Sequence, residues 1–381
     1  MSHDYAQRSL DAHARTAGKW VIGSSMPLET VDDLSIAYTP GVAAPCLAIA
    51  ADPSLAYTMT MKGRAVAVVS DGSSVLGLGN IGPMAGLPVM EGKAVLYKKY
   101  ANIDAVPLVL ASQDVEEVIE AVRMIAPTFG GIHLEDIAAP ACFEIERRLS
   151  EILDIPVMHD DQHATAIVTL AGLMNAAKVV GRELSSMNVV VNGAGAAGIA
   201  ITKLLIDAGV AGVVLVDSKG IVGPHRTDIA GEKAALVSMT YAEHREGGLI
   251  EAMIGADVFV GVSKPNLVSQ DMVKSMAPQP IIFALANPVP EIAYDDARAA
   301  GAAVIATGRS DYPNQINNVL VYPGLFRGLL NRRASKLTSD MKIAAATALA
   351  GLVETPTAEC IIPNIITTNP ATAIATAISN V

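Results

Sequence analysis

Apolar residues fall into two rhythms along this chain. Short unbroken runs, "AVAVVS" (65–70), "DAVPLVLA" (104–111), "GGIHLED" (130–136) and "IPVMHD" (155–160), are bounded by Gly, Pro or acidic residues. Runs of this length and composition predict strands buried on both faces. Between them apolar positions recur every three or four residues, which predicts helices. Val115, Val118, Ile119, Val122 and Ile125 make one such stripe, opened by Asp114 with Glu117 in capping-box spacing and closed by Pro127. Cys142, Ile145, Leu149, Ile152 and Leu153 make another, and "GKAVLYKKYA" and "ATAIVTLAGLMNAAKVV" predict two more helices. Strand and helix alternating in this way predict a parallel sheet with crossovers on its faces.

Near residue 185 the pattern restarts. "MNVVVNGAGAAGIAITKLLIDAGVAGVVLVDSKG" reads as strand, Gly-rich turn, helix and strand, and "DVFVGV", "IIFALA" and "AVIATG" add three buried strands. The stretch from about 325 to 381 predicts helices rich in Ala and Ile, interrupted by "TPTAECIIPNIITTNP". No repeat, charge block or long linker separates the units. The expectation is an α/β chain of two closely packed domains. Residues 1–163 would form a parallel-sheet domain and 164–381 a Rossmann-type dinucleotide-binding domain with a C-terminal helical segment.

Composition narrows the function. The 381 residues suffice for two cores, and 51% hydrophobic against 17% charged residues excludes a disordered chain. A net charge of −11 excludes nucleic acid as a partner, since phosphate binding needs a basic face. It leaves a small anionic substrate open, because local clusters can reverse the overall sign. Three Cys form no disulfide framework, which points to a reducing compartment. The first twenty residues lack the apolar core of a signal peptide, and no run approaches the ~20 residues that span a bilayer. The expectation is a soluble, cytoplasmic protein without a membrane partner.

Gly193-Ala194-Gly195-Ala196-Ala197-Gly198 follows one predicted strand and opens a helix, and Asp217 ends the next strand. Each glycine has a task in dinucleotide binding: Gly193 for the tight turn, Gly195 for approach of the pyrophosphate, Gly198 for close helix–strand packing. Two acidic pairs, Glu135-Asp136 and Asp160-Asp161, end two strands of the first sheet, at the edge where such sheets bind ligands. Buried carboxylates without counter-charge cost several kcal/mol each. Helix capping or ion pairing would account for either pair alone, but hard oxygen ligands on neighbouring strands suit Mg²⁺ or Mn²⁺. His159 and His163 bracket the second pair at a zinc-like spacing. They lack the Glu of HExxH and are read as packing or supporting residues.

Lys93 lies near a predicted helix start, where the helix dipole and a nearby cation would lower its pKa toward that of a general base. Tyr38 precedes a Pro-Gly turn and by itself reads as a packing residue. Asn287 ends the strand "IIFALA", and Asn317 and Asn318 are candidates for hydrogen bonding a carboxylate or carboxamide.

Taken together, "IAYTPGVAAPC", "VVSDGSSVLGLGNIGP", "MEGKAVLYKKYA", "HLEDIAAP", "HDDQHATA", "VNGAGAAG", "ANPVPE" and "NNVLVYPG" resemble the malic enzymes, particularly the short bacterial type, from about residue 20 to at least 330. The resemblance implies oxidative decarboxylation of L-malate to pyruvate and CO₂ by a homodimer using NAD or NADP. It implies Tyr38 as general acid, Lys93 as general base, Glu135, Asp136 and Asp161 as ligands of the divalent metal, and Asp160 as a neighbouring active-site carboxylate. Asn287 and Asn317 would contact substrate or nicotinamide. Where the long eukaryotic type carries an arginine, this chain has Ser74, so backbone amides and Ser73 or Ser74 would make those substrate contacts. A malolactic variant and a non-catalytic nucleotide sensor are the alternative readings. Asp217 would repel a 2′-phosphate and favour NAD, whereas Ser218 or Lys219 would hydrogen-bond or neutralise it, so NAD is expected to lead by a modest margin.

Overall fold

The computed structural model describes residues 5–75, 77–241 and 245–381. The first sheet contains β1 (Ala65–Ser70), β2 (Asp104–Val109), β3 (Gly131–Leu134) and β4 (Val157–His159), all parallel in the order β2-β1-β3-β4. All six residues of β1 are buried because helices cover both faces. Ala65, Ala67 and Val69 pack with Ile132, Leu134 and Val157 under the Val115–Ile125 and Ala141–Ile152 helices. Val66 and Val68 point the other way, toward Met90 and Tyr97 of the Pro83–Ala101 helix. Asp114 caps the Val115–Ile125 helix by accepting the Glu116 and Glu117 N–H groups. Of the stripe expected on the next helix, Cys142, Ile145 and Leu149 are buried, but Ile152, in its last turn, is half exposed.

The second sheet runs β10 (Val304–Thr307), β9 (Ile281–Ala284), β8 (Val258–Gly261), β5 (Asn188–Asn192), β6 (Gly212–Asp217) and β7 (Gly220–Ile221), parallel except for β7. Strand order reverses between β1 and β3 in one sheet and between β5 and β8 in the other. Crevices at such switch points, beyond the strands' carboxyl ends, are where open α/β sheets bind ligands.

The helix Asp160–Val179 joins the two sheets and is buried almost all round, from Asp160 to Ala177. Gly172 lets Phe283 and Ile316 approach it; a methyl group there would meet Ile316 at 2.8 Å. A division at 163/164 falls inside this helix, so one hydrophobic core runs from Val66 through Leu170 to Val191. The C-terminal segment also returns to the first sheet. Phe326, on the Tyr322–Asn331 helix, packs on Gly131 and the Tyr97 ring, and Asn369 Nδ2 donates to the Tyr100 carbonyl.

Residues 5–64 contrast with this core, since none of them is buried. Val21, Ile22 and Val31 are more than four-fifths exposed. Among the described residues, no helix is long and apolar enough to cross a membrane.

Candidate active site

The two acidic pairs come together at the switch point of the first sheet. One carboxylate oxygen from each of Glu135, Asp136 and Asp161 lies within 4.8 Å of the others. Asp136 adopts φ +55°, a left-handed conformation that Asp tolerates better than most residues, and its N–H donates to Asp161 Oδ2 at 3.2 Å. The loop after β1 braces this turn. Ser74 N–H donates to the Asp136 carbonyl, while Ser73 Oγ donates to Asp71 and accepts the Ala138 N–H. Ser73 thus ties the loop after β1 to the turn after Asp136.

Lys93 does not lie near a helix start. Gly82 and Pro83 begin the helix ten residues earlier, and Pro88 is carried inside it. The position that matters is set instead by packing: Lys93 is 8% exposed, its Nζ 2.6 Å from Asp160 Oδ2 and 3.1 Å from Glu135 Oε1, over the Tyr322 ring. Burial pulls its pKa down, but the Asp160 and Glu135 charges more than reverse this and hold it well above the usual lysine value. Burial pushes the Glu135 carboxyl well up, against the opposing pull of Lys93. Asp160 Oδ1 is buried with no hydrogen-bond partner among the described residues, an orphan polar atom of the kind that a ligand satisfies.

The carboxylate donors fit a hard divalent cation. His163 turns to Glu146, while the His159 ring nitrogen Nε2 lies 3.4 Å from Asp161 Oδ2, behind that carboxylate. Glu146 accepts the His159 N–H at 2.8 Å and lies 3.0 Å from His163 Nε2, so both histidines support the strand-to-helix turn.

Beside Lys93 opens a cavity of about 360 Å³ whose walls include Asn317, Asn318 and Tyr322. Tyr322 was not singled out from sequence; its Oη is buried with no hydrogen-bond partner among the described residues, and burial raises its pKa. Tyr38 is not brought into this cluster: it ends the helix Val31–Ala37 and is 67% exposed. Asn287 lies beyond the carboxyl end of β9 in the second sheet. Its carbonyl would lie 2.5 Å from a methyl at Gly77, so the β1 loop and the carboxyl edge of the second sheet touch. Glu291, also missed, is buried and accepts the Ser263 and Ala286 N–H groups, bracing the Asn287 loop.

The Gly-rich turn has the geometry its pattern predicts. Gly193 has φ +122° and crowds the Val262 carbonyl, and a methyl at Gly198 would collide with the Gly193 carbonyl at 1.6 Å. Gly195 faces open space, in front of the N-terminal turn Ala196, Ala197 and Gly198 of the Ala196–Asp207 helix. At the end of β6, Asp217 is fully engaged, by Arg226 at 2.6 and 3.2 Å and Lys233 at 2.7 Å. Burial opposes ionisation, yet these partners hold its pKa at about 2. Lys219 turns instead to Asp228 at 2.7 Å, so the cations beside Asp217 are two residues that the sequence reading passed over.

Residues 19–150 match the malic enzyme N-terminal domain and residues 163–381 the malic enzyme NAD binding domain. The chain is 51% identical to the bifunctional malic/malolactic enzyme of Bacillus subtilis, over 98% of this chain and 92% of that one. It is 54% identical to the NAD-dependent malic enzyme of Geobacillus stearothermophilus, over 88% of this chain and 70% of the relative. The crystal structure of a malic enzyme from Pyrococcus horikoshii superposes with a TM-score of 0.94 at 46% identity, over 98% of this chain and 90% of that one. With a carboxylate triad and buried lysine on one sheet edge, a dinucleotide turn on the other, and matches through both halves, this chain belongs to the malic enzyme family.

Proposed function

We propose that the protein oxidises L-malate and decarboxylates it to pyruvate and CO₂, with NAD or NADP as hydride acceptor. The observation that carries the reading is the Lys93 ammonium bridging Asp160 and Glu135 beside the Glu135, Asp136 and Asp161 oxygens. Glu135, Asp136 and Asp161 would hold Mg²⁺ or Mn²⁺, which would supply Lewis-acid polarisation of the 2-hydroxyl oxygen and offset the carboxylate charge that keeps Lys93 protonated. Lys93 then takes the hydroxyl proton, Asp160 holds the lysine in place, and Asn287, Asn317 and Asn318 orient carboxylate and carboxamide groups across the cleft. Malate-dependent reduction of NAD and NADP, with pyruvate formed in equal amount, tests it. Lactate without free reduced cofactor would favour the malolactic reading, to which the bifunctional Bacillus relative gives support.

Tyr38 is the proposed acid that protonates C3 of the enolate left by CO₂. It belongs to segment 5–64, none of which is buried and whose exposed Val21, Ile22 and Val31 support a homodimer. Sedimentation equilibrium at two chain masses is the expected result for that assembly. Tyr38→Phe is expected to slow exchange of the pyruvate C3 hydrogens with solvent by roughly 10²-fold, the lower end of what a positioned acid supplies. Tyr322→Phe is the control for the phenol nearest Lys93. Exchange at the parental rate in Tyr38→Phe would remove that residue from the role.

For the cofactor, Arg226 and Lys233 cancel the repulsion on which a margin for NAD rested, and we propose use of both cofactors. Arg226→Ala uncovers Asp217 and removes a guanidinium from the ribose edge. It should lower kcat/KM for NADP at least ~10-fold more than for NAD, about 1.4 kcal/mol of discrimination. An unchanged ratio of the two would place the 2′-phosphate elsewhere.

A further inference from the structure

Two side chains at the end of one strand face two on one helix behind the proposed metal site. His133, on β3, and Glu135, the first residue beyond it, are two apart and share a face; Lys93 and Tyr97 are four apart on the Pro83–Ala101 helix and share a stripe. They meet in an unbroken chain. Tyr97 Oη lies 2.8 Å from His133 Nδ1, His133 Nε2 lies 2.5 Å from Glu135 Oε2, and Glu135 Oε1 lies 3.1 Å from Lys93 Nζ. Tyr97 and His133 are fully buried, and the Tyr97, Tyr322 and Phe326 rings surround the imidazole with centroids 5.5–5.9 Å away. No role in proton transfer or substrate contact has been given to either residue.

From this geometry we infer that His133, fixed by Tyr97, is a positioning residue that aims the Glu135 carboxylate at the divalent metal. The inference rests on Glu135 being a metal ligand. An ionised Glu135 can only accept, so a neutral His133 carries its proton on Nε2 and donates it to Oε2. Nδ1 is then a lone pair, and the Tyr97 hydroxyl donates to it, which fixes both the tautomer and the ring plane. Oε2 is thereby occupied from behind and the carboxylate cannot rotate, leaving Oε1 on the Lys93 side.

The same distances admit a rival role, since His133, Glu135 and Asp160 also lie within 4.8 Å of one another as a possible ligand set. Lys93 bridges Glu135 and Asp160, filling the space a cation on that set would take.

The test is Mn²⁺ affinity of the full-length, metal-free enzyme, read by electron paramagnetic resonance of free Mn²⁺, so that it does not depend on turnover. His133→Met fills the same space without a donor and is expected to weaken Mn²⁺ binding roughly 10–100-fold, the usual effect of losing such a partner. His133→Gln returns an N–H near the Nε2 position and is expected to recover most of the loss, which a merely structural role would not require. Tyr97→Phe is expected to weaken binding by less than His133→Met. Nitrogen NMR of ¹⁵N-histidine-labelled protein should show the His133 proton on Nε2. A His133→Met affinity within twofold of the parent, a proton on Nδ1, or direct ¹⁵N coupling to bound Mn²⁺ would each overturn the inference. If the parent enzyme itself does not bind Mn²⁺, the metal reading fails, and this inference with it.

Discussion

Lys93→Ala is expected to lower kcat/KM for malate oxidation by roughly 10²–10⁴-fold, the range a positioned general base contributes. The side chain has no substitute, because it is the cation that Asp160 and Glu135 share, and Lys93 is only 8% exposed. Removing it leaves two buried carboxylates without their counter-charge, so the metal-free variant should also be less stable, by about 3–5 kcal/mol. Denaturant unfolding of metal-free protein measures that term, and added Mn²⁺ should recover part of it by supplying positive charge. Small primary amines should restore part of the oxidation rate, because they replace the lost base without restoring the covalent tether. Retained malate oxidation in a folded Lys93→Ala protein would end the assignment of Lys93 as base.

Chelation should abolish turnover and Mn²⁺ or Mg²⁺ should restore it, and the ligand prediction is sharpest at Asp136. Alanine there would have to hold φ +55°, so a loss of activity could reflect the backbone. Asparagine tolerates the left-handed region and keeps the shape while removing the charge. Asp136→Asn is therefore expected to weaken Mn²⁺ binding by at least ~10-fold, from loss of an anionic ligand to a hard cation. The metal-free variant should unfold no earlier than the parent, because one of three clustered carboxylates has lost its charge. Full activity after exhaustive chelation would sink the metal-dependent mechanism.

Much of this arrangement is local enough to be written in one dimension. A six-residue apolar run such as "AVAVVS" has no polar face to offer water, so burial on both sides follows from its composition. The glycines at 193 and 198 are required by backbone approach within one turn, where a methyl group would meet the Val262 and Gly193 carbonyls. Asp136 and Asp161 follow strands of one parallel sheet, so their convergence at its carboxyl edge follows from topology alone.

What the linear pattern does not contain is distance across the fold. The pattern put Lys93 near a helix start, yet the helix begins at Pro83 and carries Pro88 inside it, packed on Val66 and Val68 of β1. That packing carries Lys93 to Asp160, 67 residues away, and reverses the direction of its pKa from the one a helix start would impose. The same holds at the cofactor edge, where Arg226 and Lys233 settle the charge of Asp217 and Lys219 turns away. Secondary structure and turn chemistry depend on near neighbours, which a sequence displays. Electrostatic energy depends on spatial separation and on exclusion of water, and only the tertiary structure decided those.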